Sequence, residues 1–400
     1  MSFHHLGIAP GLLAVLDELK FITPTPIQER SIPIAITGKD VMGIAQTGTG
    51  KTLAFGIPMI GRILEDKTRQ GLIMLPTREL ALQVDETFQR IGRKLGIRTA
   101  VLIGGDSMEK QKRQIRANPH VIIATPGRLN DHLGQRTVTL ERVRILVLDE
   151  ADHMLDMGFA PQIAEVVKHV PKERQTMLFS ATMPNEVIRL ATSYLQIPIR
   201  VEVAPPGTAV EKISQELFFV PHMEKLDLLL KLLGEYSGSV LVFTRTKFIA
   251  KRIALSLRNK GHQAVEIHSN RSLSQRREAL DGFKAGRYRV MVATDIAARG
   301  IDVSGIEVVI NYDLPEKAED YVHRIGRTAR AGREGRAISF ATPDQKGNVR
   351  DIERLMRITL PIKGGVVPEG EPRAVKSVRR VATSPRSSSR PGTRHFGRRR

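Results

Sequence analysis

The sequence predicts an α/β protein: two parallel-sheet domains in tandem, followed by a basic C-terminal tail. Three observations carry this. Short β-branched runs alternate with longer helix-like stretches, the alternation is interrupted at Pro205-Pro206-Gly207, and the composition shifts after Leu360. Before the interruption the runs fall at 41–45, 72–75, 100–103, 121–124, 145–148 and 177–179; after it they fall at 240–243, 264–267, 290–293, 308–310 and 338–340. Near-continuous apolar strands separated by helical spacers imply parallel sheets covered on both faces. The Pro-Pro-Gly reads as a linker, dividing residues 1–205 from residues 206–360. From 361 to 400 Pro, Ser, Gly and Arg dominate, Phe396 is the one aromatic, and apolar periodicity ends. Such a segment cannot bury enough surface to fold alone and reads as disordered. No repeat of 20 to 50 residues is evident.

Composition narrows the function classes. At 400 residues the chain is too long for one ordinary core. No apolar run approaches the ~18–20 residues that span a bilayer, and residues 1–10 lack a basic and apolar leader pattern. Zero cysteines exclude disulfides and thiolate metal sites and fit a reducing cytoplasm. The net charge is +20, and residues 371–400 hold ten Lys/Arg against one acid, Glu371, so the tail carries +9 of it. That balance predicts a polyanionic partner, nucleic acid before an anionic membrane.

Two motifs in the first domain carry chemistry. The run from Ala45 through Gln46, Thr47, Gly48, Thr49, Gly50, Lys51 and Thr52 sits between a predicted strand and a predicted helix. Backbone N–H groups in such a turn, with the helix N-terminus, can cradle phosphates. Lys51 reaches the β/γ-phosphates in this pattern, and the Thr52 hydroxyl binds Mg²⁺. About a hundred residues later, Asp149-Glu150-Ala151-Asp152 ends an apolar strand. Carboxylates at that edge of a parallel sheet face the same crevice as the loop. Asp149 is then expected to hold the metal through its water shell, and Glu150 to orient and deprotonate an attacking water.

Over residues 3–345 the sequence resembles the DEAD-box RNA helicases, and most closely their bacterial RhlE-like subgroup. The resemblance implies two RecA-like domains, with ATP and Mg²⁺ as cofactors and RNA as partner. Phe21 and the stretch Pro24 to Gln28 resemble the family's adenine-reading motif; the Gln28 amide offers a donor and an acceptor that match adenine's edge. Lys20 stands where the family usually has Gly. Phe3 matches an aromatic that packs near the base, and core packing is an equally good reading of it. Ser180 and Thr182 resemble the coupling motif whose hydroxyls bond Asp152, and His323 belongs to the same coupling set.

In the second domain, Arg327 and Arg330 match two arginine fingers that meet the γ-phosphate across the cleft, where Arg's planar fork pairs bidentately with phosphate. Ala329 replaces the usual Gly between them. Asp295 matches a ribose contact, and Thr294, Arg299 and Gly300 lie by resemblance near RNA. Further RNA contacts implied this way are Pro76, Thr77, Arg78, Gly104, Gly105, Thr125 and Arg128 in the first domain, and Thr244, Arg245 and Arg276 in the second. Where the family often has Gln three residues before that last Arg, this chain has Leu273. Hydroxyls, glycine N–H groups and arginines address phosphates and 2′-OH groups without reading bases, so largely sequence-independent binding is expected.

Three readings of activity remain open from the residues. The first is an ATP-dependent, non-processive RNA helicase acting as a monomer in ribosome assembly or RNA decay. The second is an ATP-gated RNA clamp, and the third a DNA translocase. The presence of Lys51, Glu150, Arg327 and Arg330 together favours the first.

Overall fold

The apolar runs become two seven-stranded parallel sheets. The computed structural model describes residues 2–46, 48–203, 213–298, 303, 305–329 and 334–365. In the first half the strands are β1 (Val41–Ile44), β2 (Gln70–Met74), β3 (Thr99–Leu102), β4 (Val121–Ala124), β5 (Val143–Leu148), β6 (Gln175–Ser180) and β7 (Ile199–Glu202). In the second they are β8 (Ile213–Phe219), β9 (Val240–Thr244), β10 (Ala264–Ile267), β11 (Val290–Thr294), β12 (Val308–Asn311), β13 (Gly335–Ala341) and β14 (Ile362–Gly365).

The sheet orders are β3-β4-β2-β5-β6-β1-β7 and β10-β11-β9-β12-β13-β8-β14. Adding seven to each strand number of the first order yields the second, so the two halves repeat one topology without a readable sequence repeat. Side chains alternate across each sheet: Leu72 and Met74 join one apolar layer while Ile73 and Leu75 join the other. Burying both faces explains why these strands read as unbroken apolar runs. Each fully buried Leu, Ile or Phe contributes ~1.5–3 kcal/mol of transfer free energy.

Register brings the functional segments to one edge. Ile44 pairs with Ser180 and Leu148 with Leu178, so the turn after β1, the acids after β5 and the end of β6 emerge side by side. Met74 pairs with Leu148 and with Ala124, which places the segments after β2 and β4 on the same edge.

Three strands were not among the expected runs. β7 and β14 are edge strands whose pairing is made by backbone, so a half-exposed or glycine-rich sequence suffices. β8 alternates buried and exposed side chains, a pattern different from the continuous runs of its neighbours. β14 lies beyond residue 360, the second sheet continuing to Gly365. The linker at 205–207 and residues 366–400 lie outside the described residues. Among the described residues, no helix is long and apolar enough to cross a membrane.

Lys20 has a local cause. The helix Pro10–Glu18 closes with Phe21 N–H donating to Leu16 O at 3.0 Å and Lys20 N–H to Asp17 O at 2.9 Å. This paired ending places Lys20 in the left-handed region at φ 60°, the position where glycine is favoured. Lys20→Gly is expected to stabilise the protein by ~1 kcal/mol, the relieved strain exceeding glycine's extra unfolded entropy. Thermal unfolding should show Tm rising by ~2–4 °C; an unchanged or lower Tm refutes the strain account.

Candidate nucleotide site and nucleic-acid interface

After β1 the chain turns through Gly48 at φ 85° and Gly50 at φ 90°, and Gly50 caps the helix Lys51–Glu65. A Cβ on Gly50 would lie 2.3 Å from Gln28 Nε2, so glycine lets that side chain reach the loop. Gln28 Nε2 donates to Gly50 O at 3.0 Å, and its Oε1 accepts from Thr25 N–H at 2.9 Å. One N–H and one lone pair of the amide remain for a base edge. Within the turn, the Thr49 hydroxyl donates to Gln46 O at 2.6 Å; Thr47 lies outside the described residues. Phe21 packs half-buried on the first-half core under the Arg90 guanidinium, 6.0 Å from its ring. Phe3 is 1 % exposed within that core, which is the packing reading of it.

Lys51 Nζ lies 3.9 Å from Asp149 Oδ1, is buried, and has no hydrogen-bond partner. A buried charged donor left unsatisfied costs upwards of ~1–3 kcal/mol, a cost that phosphate oxygens remove. Burial pushes the Asp149 carboxyl up to about 6, against the pull of Lys51. The donor set therefore suits a divalent cation, which would keep Asp149 ionised. Thr52 follows Lys51 in the helix with a partly exposed side chain. Among the described residues no group of three or more His, Asp or Glu forms a metal cage. Mg²⁺ commonly takes one or two protein oxygens together with waters and substrate phosphates.

Glu150 adopts φ 52°, ψ 50°, a left-handed conformation that turns the end of β5 into the helix Ala151–Asp156. Holding a non-glycine residue there costs ~1–3 kcal/mol, and such strain concentrates at functional sites. Burial alone would raise its carboxyl, but His153 first, then Lys51 and Arg327, hold it well below the usual range. Asp152 Oδ2 accepts from Thr182 N–H and from the Thr182 hydroxyl, both at 2.9 Å, and from Ala181 N–H at 3.2 Å. The Ser180 hydroxyl instead accepts from the Asp152 backbone N–H at 3.3 Å. It anchors the start of that helix rather than the carboxylate.

The second half faces these groups. Arg327 is 2 % exposed and its Nε donates to His323 O at 3.3 Å. His323 Nε2 lies 4.0 Å from Asp152 Oδ2, and burial pushes its imidazole down to about 3. Gln46, Ala181 and Thr182 meet Val322, His323, Gly326 and Arg327 around a cavity of about 30 Å³, room for one water. Ala329 has φ 56°, so the Cβ that replaces the family's glycine carries left-handed strain. Arg330, Arg299 and Gly300 lie outside the described residues.

Asp295 is gripped bidentately by Arg324, at 2.5 and 2.7 Å. Arg324 is 1 % exposed, donates also to Asn311 Oδ1 and Asp313 O, and sits over the Phe243 ring. Sequence reasoning missed this residue, which precedes both finger candidates; the cationic density of residues 324–330 was the available signal for it.

Pro76, Thr77, Arg78, Gly104, Thr125 and Arg128 line one cleft of about 370 Å³, which Ser269 and Arg276 complete from the second half. Gly105 adjoins it against the Arg78 guanidinium. Arg276 is not simply offered to a ligand: its Nη2 donates to Glu79 Oε2 at 2.8 Å, a buried ion pair between the halves. Leu273 on the same helix joins the apolar layer of the first half, an interdomain apolar contact at the departure from Gln. Thr294 pairs with Thr244 across β11 and β9. The Thr244 side chain is fully buried, its hydroxyl within 3.3 and 3.5 Å of the carbonyls of Thr246 and Ala293. Arg245 is exposed, its backbone N–H donating to Asp313.

Two parallel-sheet halves, a phosphate-type loop and a cation from each side of one buried carboxylate cluster suit a nucleoside triphosphatase. Residues 25–190 match the DEAD/DEAH box helicase family, and residues 224–332 match the helicase conserved C-terminal domain. The ATP-dependent rRNA helicase RRP3 of Debaryomyces hansenii is 42% identical over 360 residues, 89% of this chain and 74% of that protein. The DEAD-box ATP-dependent RNA helicase CshA of Geobacillus kaustophilus is 43% identical over 355 residues, 88% of this chain and 76% of that protein. The chain belongs to the DEAD/DEAH box helicase family and is an ATP-dependent RNA helicase.

Among solved structures, S. cerevisiae Dbp5 bound to RNA and ADP BeF3 superposes with a TM-score of 0.83 at 34% identity, covering 91% of this chain and 95% of that one. A Dbp5 variant bound to nup159, a gle1 variant, ip6 and adp gives 0.62 at 33% identity, covering 90% and 96%.

Proposed function

We propose that Lys51 and the loop backbone hold the ATP phosphates, that Gln28 and Phe21 flank the base, and that Glu150 orients and deprotonates the attacking water. Thr52 and Asp149 are the residues that would hold Mg²⁺, which when bound neutralises phosphate charge. Arg327, with Arg330, supplies the γ-phosphate contact from the second half, and Asp295 the ribose contact. Asp152, Ser180, Thr182 and His323 couple the halves. The observation that carries this reading is one cluster, with Lys51 6 %, and Asp149, Glu150 and Arg327 each 2 % exposed, drawn from both halves. Since half of the site is on each domain, closure is the two-state element that nucleotide biases.

The cleft with Arg78, Thr125, Arg128 and Arg276 is proposed to grip RNA by its backbone. Closure on bent RNA opposes stacking worth ~1.4 kcal/mol per step, taking the DNA value. One closure offsets only a few steps, so opening is local. We assign the chain to the bacterial RhlE-like members, acting as a monomer in the cytoplasm on ribosomal precursors or in RNA decay. Support comes from an rRNA helicase and a bacterial helicase among its relatives and from the lack of cysteine. The test is ATP turnover with and without single-stranded RNA, beside displacement of a short duplex. Robust turnover without RNA, or ATP-gated RNA binding with no displacement, refutes it, the latter in favour of a clamp.

Residues 366–400 carry the ten Lys/Arg of the tail and are proposed to tether RNA electrostatically. Deleting them is expected to weaken RNA affinity several-fold while saturated ATP turnover stays within about twofold. The slope of log affinity against log salt should become shallower by ~0.7 for each phosphate that the tail neutralises. An unchanged slope excludes the tether.

A further inference from the structure

One group in the site has no part in the mechanism above. His153 is the residue after the Asp-Glu-Ala-Asp run, 1 % exposed in the short helix Ala151–Asp156. Its Nδ1 lies 2.9 Å from Glu150 Oε2. An ionised carboxylate can only accept, so the imidazole donates from Nδ1.

The other ring nitrogen, Nε2, is buried and has no hydrogen-bond partner. An orphaned polar atom of this kind is destabilising, and an apolar residue of similar size would avoid it. The ring is closed in by a residue of the second half. The imidazoles of His153 and His323 meet edge to face, with centroids 4.4 Å apart and planes at 65°. His323 is in turn beside Asp152. A line of touching side chains thus runs from Glu150 through His153 to the second half, inside the region that closure assembles.

We propose that His153 is the positioning residue for Glu150, fixing the carboxylate through its Nδ1 donor and being itself seated by His323 when the cleft closes. The proposal rests on Glu150 acting on the attacking water. It accounts for the tolerated loss at Nε2, because that nitrogen accompanies the Nδ1 donor that Glu150 uses. A tightly oriented base matters because misplacement of a reacting group by ~1 Å can cost ~10²-fold in rate.

The test compares His153→Leu with His153→Asn. Leu keeps apolar volume and removes the donor, whereas the Asn amide nitrogen overlies the position of Nδ1. RNA-stimulated ATP turnover of the full chain is measured with a single-stranded RNA oligonucleotide, with KM for ATP, RNA affinity and Tm alongside. His153→Leu should lower kcat about ten- to a hundredfold, with KM and RNA affinity within about twofold of the parent. His153→Asn should recover most of that loss. In a Glu150→Gln background, His153→Leu should change the residual rate little, since residues acting as one unit are non-additive. Equal losses in Leu and Asn, or no loss in Leu, overturn the proposal, as does a full further loss in the Gln background. Undiminished hydrolysis by Glu150→Gln alone overturns the underlying assignment of Glu150 instead.

Discussion

Glu150→Gln is expected to lower RNA-stimulated ATP turnover by ~10²–10⁴-fold, the range for removing a positioned general base, while RNA binding in the presence of ATP persists. Gln has the shape of Glu and can accept the same hydrogen bond, so the local packing is preserved. It cannot take a proton. The side chain is buried beside Lys51, His153 and Arg327, all of which favour the ionised form, so Glu150 is charged in the resting site and ready to accept. Closure and RNA grip use other groups, and the variant should therefore accumulate in the closed state. Rapid hydrolysis by the variant, or loss of nucleotide-dependent RNA binding, refutes the assignment.

The second large effect is at Arg327. Arg327→Ala is expected to reduce turnover by ~10³–10⁵-fold, the range for an arginine finger, with smaller changes in ATP affinity. Arg327→Lys should recover little, because a point charge on a flexible stem cannot reproduce a planar two-pronged contact. Arg327 belongs to the second half, yet its charge bears on Glu150 in the first. It is buried, with its Nε on the His323 carbonyl, so its removal leaves the phosphate side of the cleft short of positive charge at the moment of transfer. Steady-state kinetics separate the outcomes. A rise in KM with kcat unchanged makes Arg327 a binding residue only.

Much of this site was legible because its signals are local. The loop from Ala45 to Thr52 is continuous in sequence, and so is the run Asp149 to Asp152; each follows a strand whose apolar character is plain. Lys20 and Ala329 could be marked as departures, although their cost is explained only by their positive φ. The illegible part is pairwise. No local pattern indicates that Arg276 meets Glu79, that Arg324 grips Asp295, or that Ser180 bonds a backbone N–H. These partners lie 197, 29 and 28 residues apart in the chain. The strands β7 and β14 escaped for a related reason, since an edge strand is held by backbone bonds that any side chain can accompany.

By itself, the sequence determined the class of fold, through apolar runs of strand length separated by helical spacers, and the chemistry of the phosphate loop and the acids. Periodicity and turn residues are properties of neighbouring positions, so they survive being read one residue at a time. Tertiary structure decided how the two halves share one site: which arginine faces Glu150, which pairs with Glu79, and that His153 touches both its own carboxylate and a histidine of the other half. Those outcomes depend on strand register and domain placement, which bring distant positions within a few ångströms of one another.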